Sequence, residues 1–158
     1  MVRRLIDACP LLAIALPGAI LGLGTAVLML GAVGGSPPWW RVDPVNMSEA
    51  AALRDRATVV RMMAEGQDPY ERHEIRADLV FNNRVELTAI EAGIATRRSE
   101  IVDVILFSAR TPPDGMAWAR LKCLAELEGD EDVTEVLDRY RPESAPAPVC
   151  DDVKRPWQ

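Results

Sequence analysis

Side chains that commonly carry chemistry are sparse in this chain. It has a single histidine, His73, in a polar stretch between Arg72 and Glu74. A nucleophile–histidine relay or a zinc site needs further partners for that imidazole, and there is no second histidine. His73 therefore reads as a solvated loop residue. The hydroxyl groups have no activating context: GxSxG, SxxK, a GxxxxGK[ST] phosphate loop and a GxGxxG turn after a strand are all missing. Gly22-Leu23-Gly24 lies inside an apolar run and is not a nucleotide fingerprint. The acids Glu126, Glu128, Asp130, Glu131, Asp132, Glu135 and Asp138 have no interleaved base. They also lack the alternating oxygen ligands, central glycine and terminal glutamate of a calcium loop. A solvated terminal face and a patch for a basic partner are the two readings of that run. An enzyme would have to use Glu74, Asp78, Glu86 and His73, but acids among arginines in an exposed loop lack the apolar surroundings that lift a carboxyl pKa. The expectation is a non-catalytic protein with no cofactor and no metal.

Three cysteines, Cys9, Cys123 and Cys150, are too widely spaced for a four-cysteine zinc site or a disulfide-dense miniprotein. Cys123 and Cys150 admit two states. In an oxidising compartment they close a loop worth roughly 3 kcal/mol; otherwise Cys123 is a buried thiol and Cys150 a free one. Length and charge narrow the class further. A chain of 158 residues suggests one domain. Residues 10–40 hold no charge, whereas from Val42 onward 15 Lys+Arg face 23 Asp+Glu, a net of −8. So acidic a region is a poor match for nucleic acid, whose phosphates need a basic surface.

The elements that must position these groups begin with an apolar one. Leu11–Val33 is 23 apolar or small residues long. As a helix it would extend roughly 35 Å, enough to cross a bilayer core of about 30 Å. Pro17 is tolerated in such helices, and Trp39 and Trp40 suit the membrane–water interface as anchors. Gly18, Gly22 and Ala26 recur every four residues and offer a small-residue face for a helix–helix contact. The alternatives are a cleaved signal peptide, with Arg3 and Arg4 as its basic end and Ala32-Val33-Gly34 as its cleavage site, and a buried soluble helix. The basic residues before the span favour a cytoplasmic N-terminus and an exported C-terminal domain, periplasmic in a Gram-negative cell.

Beyond a Pro/Trp linker at 34–48, with Ser48 as the expected helix N-cap, the pattern turns helical. Segments 49–66, 87–109 and 116–140 each break near the middle, at 55–57, 96–99 and 129–131, and so read as three helix–turn–helix pairs. Strand-like alternation is absent. The second helices align as TVVRMM from Thr58, EIVDVIL from Glu100 and DVTEVL from Asp132, with starts 42 and 32 residues apart. One pair cannot bury its own apolar face, whereas three stacked pairs can. The expected core is Ala52, Leu53, Val60, Met63, Ile90, Ala92, Ile94, Val102, Ile105, Leu106, Leu121, Leu124, Val133, Val136 and Leu137.

At these residues the chain resembles the ankyrin-repeat family, whose unit reads roughly TPLHLAAxxGHxEVVxLLLxxGADPN. Thr88 takes the threonine position, Ala89 the proline, Ile90 and Ala92 the leucines, and Glu100-Ile101-Val102 the EVV. Gly66-Gln67-Asp68-Pro69 is similar to GADP, and CLAELEGDEDVTEVL from Cys123 to LAAxxGDxDVxxLL. The sequence departs from the pattern at Arg97, where the family has a turn glycine, and at Glu91, where it has histidine. Its finger is longer, and the third unit has no TPLH. Generic or TPR-like helical repeats are the alternative. The expected fold is all-α: one N-terminal transmembrane helix (11–33) after a short cytoplasmic N-terminus (1–10), then an ankyrin-like repeat domain (49–140) with an inserted loop (71–86) and a Pro-rich tail (141–158). The resemblance implies a binding platform whose fingers line a concave face. Tyr70, Arg72, His73, Arg76, Phe81 and Arg84, in and beside the insertion, are then the candidate partner contacts; a locally packed insertion is the competing reading. The expected function is a membrane-anchored, exported protein–protein interaction module at the inner membrane, an accessory subunit of a membrane complex. An immunity-type inhibitor of an exported toxin or enzyme, and a secreted soluble repeat protein, are the alternatives.

Overall fold

The computed structural model describes residues 42–157. The first helix pair starts at Asn46, whose side chain accepts the Glu49 N–H at 2.9 Å and so caps α1 (Met47–Ala52). This cap lies two residues before the expected Ser48. Ser48 is instead buried, and its hydroxyl donates to the Leu87 carbonyl at 2.7 Å. Asp55 caps α2 (Arg56–Ala64) through the Thr58 N–H. In the second pair Thr88 caps α3 (Ala89–Ala95) in a reciprocal box with Glu91, and α4 (Ser99–Ser108) follows. In the third, Asp114 caps α5 (Gly115–Glu128) and Asp130 caps α6 (Glu131–Arg139). Each turn holds one left-handed residue: Arg54 (φ 64°), Arg97 (φ 55°) and Gly129 (φ 67°). Left-handed backbone costs a non-glycine residue about 1–2 kcal/mol. Both arginines reach the next unit from there. Arg54 pairs with Glu100, and Arg97 donates to the Glu128 carbonyl at 3.0 Å.

The first helices of the pairs stack as α1 on α3 on α5, and the second helices as α2 on α4 on α6. The core runs between these two layers, with Ile90, Ile94, Ile101, Ile105, Leu124 and Leu137 fully buried. One helix is out of phase with expectation. In α2, Val59 and Met62 are buried, Met63 is partly buried, and Val60 is 43% exposed. Adjacent Val-Val and Met-Met pairs fit either of two registers at 3.6 periodicity, and only packing on α4 chooses between them. Leu53, also expected in the core, sits half-buried at the turn.

The all-α expectation is corrected by the insertion. Residues 71–86 and their flank form an antiparallel hairpin, β1 (His73–Ile75) and β2 (Val85–Leu87), with His73 opposite Leu87, Glu74 opposite Glu86 and Ile75 opposite Val85. Three-residue strands are too short to display alternation, so no period-2 signal is legible in these residues. Ile75 and Leu87 are fully buried and tie the hairpin to the core. Its strand carbonyls are covered too: Asn46 Nδ2 donates to the Glu74 carbonyl and Arg72 to that of Glu86. Covered carbonyls blunt the pairing tendency of a short two-stranded ribbon. The transmembrane part of the expected fold is corrected as well: among the described residues no helix is long and apolar enough to cross a membrane. The stretch 11–33, with Gly18, Gly22, Ala26 and the flanking Trp39 and Trp40, lies outside the described residues.

The tail closes the third unit. Cys150 is disulfide-bonded to Cys123 of α5, with the Cα atoms 5.2 Å apart. Trp118 is buried, donates its indole N–H to the Leu137 carbonyl at 2.8 Å, packs on Ala145, and carries the Arg141 guanidinium 5.2 Å above its ring. Farther along, Arg155 and Trp157 both reach Glu128.

Candidate functional site

Two carboxylates organise the surface around the hairpin. Glu49 and Glu91 are the third residues of α1 and α3, 42 residues apart, and both are buried. Glu49 is gripped by Arg76: Nε donates to Oε1 at 2.8 Å, Nη2 to Oε2 at 2.8 Å, and the Arg76 backbone N–H to Oε1 at 3.1 Å. The Val45 N–H adds a fourth bond at 3.0 Å. Burial by itself pushes the Glu49 carboxyl up; the Arg76 side-chain bonds, the two backbone N–H groups and the Arg76 charge outweigh it and hold the carboxyl below its ordinary value. The Arg76 guanidinium is raised in turn, first by its hydrogen bonds to Glu49. Glu91 accepts from Arg72 Nη2 at 2.9 Å and Arg120 Nη1 at 2.6 Å, besides the Thr88 N–H. The hairpin is thus fastened at both ends of β1, to unit one through Arg76 and to unit two through Arg72.

This geometry sorts the six residues expected to meet a partner. Arg72 and Arg76 are engaged within the fold. Arg84 pairs with Glu74 across the hairpin at 2.9 Å, and His73 lies 3.9 Å from Glu71. Phe81 packs against the core, as does Tyr70. The Tyr70 hydroxyl has no hydrogen-bond partner, and burial, helped by the Asp68 charge, pushes its pKa up to about 12.

Tyr70 is the one of the six that lines a cleft, of about 530 Å³. One wall is the connector after α2, residues 66–70. The other is the connector after α4, residues 108–114, with Met63 and Ala117 completing it. No family model matches this chain, and no curated protein or solved structure matches it. The two walls follow the second helices of consecutive pairs, and a 42-residue shift in sequence carries Asp68 onto Arg110. Sequence reasoning passed over 108–114, although the spacing of the second helices already placed it opposite Gly66-Gln67-Asp68-Pro69. Ser108 and Thr111 supply hydroxyls to the cleft, but His73 is not among its lining residues. Asp68 accepts the Tyr70 N–H at 2.9 Å and Asp114 the Ala117 N–H at 2.7 Å.

Glu74, Asp78 and Glu86 are exposed. The acidic run takes its bases from elsewhere in the chain: Arg97 and Arg155 meet Glu128, Lys122 meets Asp138, and Arg139 meets Glu135. Among the described residues no group of three His, Cys, Asp or Glu could hold a metal ion.

Proposed function

We propose that this chain is a non-catalytic protein–protein interaction module, a degenerate ankyrin-like stack attached to the inner membrane and displayed on the exported side as an accessory subunit. The observation that carries this reading is the cleft between the connectors of units one and two, beside a hairpin that is fastened to both units. A pre-formed recess on a rigid frame lowers the ordering cost of binding. The two-layer stacking and the finger-like hairpin support the ankyrin-like reading. The Cys123–Cys150 bond suits an oxidising compartment, and the charge-free run suits membrane attachment.

A photo-crosslinking residue at Gln67 or Thr111 of the full chain, in its own cells, tests the reading, with Arg139 on α6 as the control position. Both cleft positions should yield one shared protein adduct, in the membrane fraction, that the control does not give. A soluble adduct would favour the immunity-type role over the accessory subunit. Adducts at neither cleft position, or the same adduct at all three, would overturn the reading.

A further inference from the structure

The charge of the cleft specifies what it takes, granted the interaction reading above. From Val42 onward acids exceed bases by eight. Ten of the fifteen bases, Arg72, Arg76, Arg120 and Lys122 among them, meet carboxylates of the same chain. The surplus acid is therefore on the surface, and two such groups face the cleft from opposite walls, Asp68 and Asp114. Each carboxylate is oriented by one backbone N–H on Oδ1, and neither forms an ion pair among the described residues. Tyr70 lines the same space, with its hydroxyl itself buried. Arg110, exposed, lines it as well. Two carboxylates and one guanidinium leave a single negative charge, which one cation balances. Met63, Pro69, Pro112 and Ala117 give the apolar surface that an alkyl stem needs.

We propose that the cleft binds one arginine or lysine side chain presented by an extended segment of the partner protein. The cationic head lies between Asp68 and Asp114. The net charge of the domain steers a basic partner towards it.

The test is an amide NMR titration of the full chain in detergent with N-acetyl-argininamide, against N-acetyl-glutaminamide and N-acetyl-aspartamide. Saturable shifts confined to 66–70 and 108–117, with an affinity of about millimolar, are expected for the arginine probe alone. The Asp68→Asn/Asp114→Asn double variant should weaken it about tenfold or more. Asparagine retains the capping role at 114, so the fold is kept. Preference for the aspartyl probe, or arginine shifts spread equally over 130–132 and 151–152, would overturn the proposal. The crosslinking experiment separates the two readings. Unchanged adducts at Gln67 and Thr111 in the double variant would remove the basic occupant and leave the docking site standing. No adducts in the unaltered chain would remove the docking site itself.

Discussion

Buried charge decides the behaviour of individual residues. Glu91 is 1% exposed and joins three parts of the molecule: the α3 cap, Arg72 before the hairpin, and Arg120 in α5. Removing one side of a buried ion pair strands the other, at a cost of 3–5 kcal/mol when both are dry. Arg72 and Arg120 are nearly half exposed, so Glu91→Ala should cost about 2–3 kcal/mol in urea unfolding. Glu49 adds a pH dependence. Its folded carboxyl lies below the ordinary value of 4.5, so its stabilising contribution is complete above that pH and is lost as pH falls through the folded value. The melting-temperature difference between the native chain and Glu49→Gln should accordingly be largest near neutrality and shrink below about pH 4.5. Neither role was legible in the sequence. Arg72 and Arg76 stand in a polar stretch and read as surface contacts, because their partners lie 19 and 27 residues away.

At the scale of elements, close approach of the tail to α5 sets the strictest requirement. A Cβ at Gly115 would stand 2.9 Å from the Ala145 Cα and 2.9 Å from the Ser144 carbonyl oxygen, both backbone atoms that cannot rotate away. Gly115→Ala should therefore displace the tail and destabilise by about 1–3 kcal/mol. Faster hydrogen exchange at 144–153, with α1–α4 unchanged, is the signature to look for. The helices themselves were well signalled. The structure places the breaks at 53–55, 96–98 and 129–130, close to the expected positions, because capping side chains and 3.6 periodicity act within a few residues. The phase of α2 was not signalled, nor was the hairpin, whose strands are held by Asn46, Arg72 and the buried Ile75 and Leu87 rather than by their own pattern.

At the scale of the whole molecule, the disulfide joins the tail to the last helix pair. Its two ends are 27 residues apart in sequence, a loop whose closure is worth about 3 kcal/mol. Cys150→Ser should lower the unfolding free energy by about that amount, and dithiothreitol should lower it equally in the native chain and not at all in the variant. Equal stability of the two chains before reduction would show that the bond adds nothing to this fold. The reduced tail still has the packing of Trp118 on Ala145, the packing of Val153 on the core and the Glu128 contacts to hold it to the terminal unit.

The sequence by itself determined the helical pairs, their recurrence at intervals of 42 and 32 residues and the acidic balance from Val42 onward. These follow from composition and from neighbours within a turn or two, where capping and amphipathic spacing operate. Tertiary structure alone decided the hairpin, the register of α2, the clasps on Glu49 and Glu91, and the cleft between the two connectors. Each of those depends on groups many residues apart meeting only once the layers stack, and no local pattern encodes such a meeting.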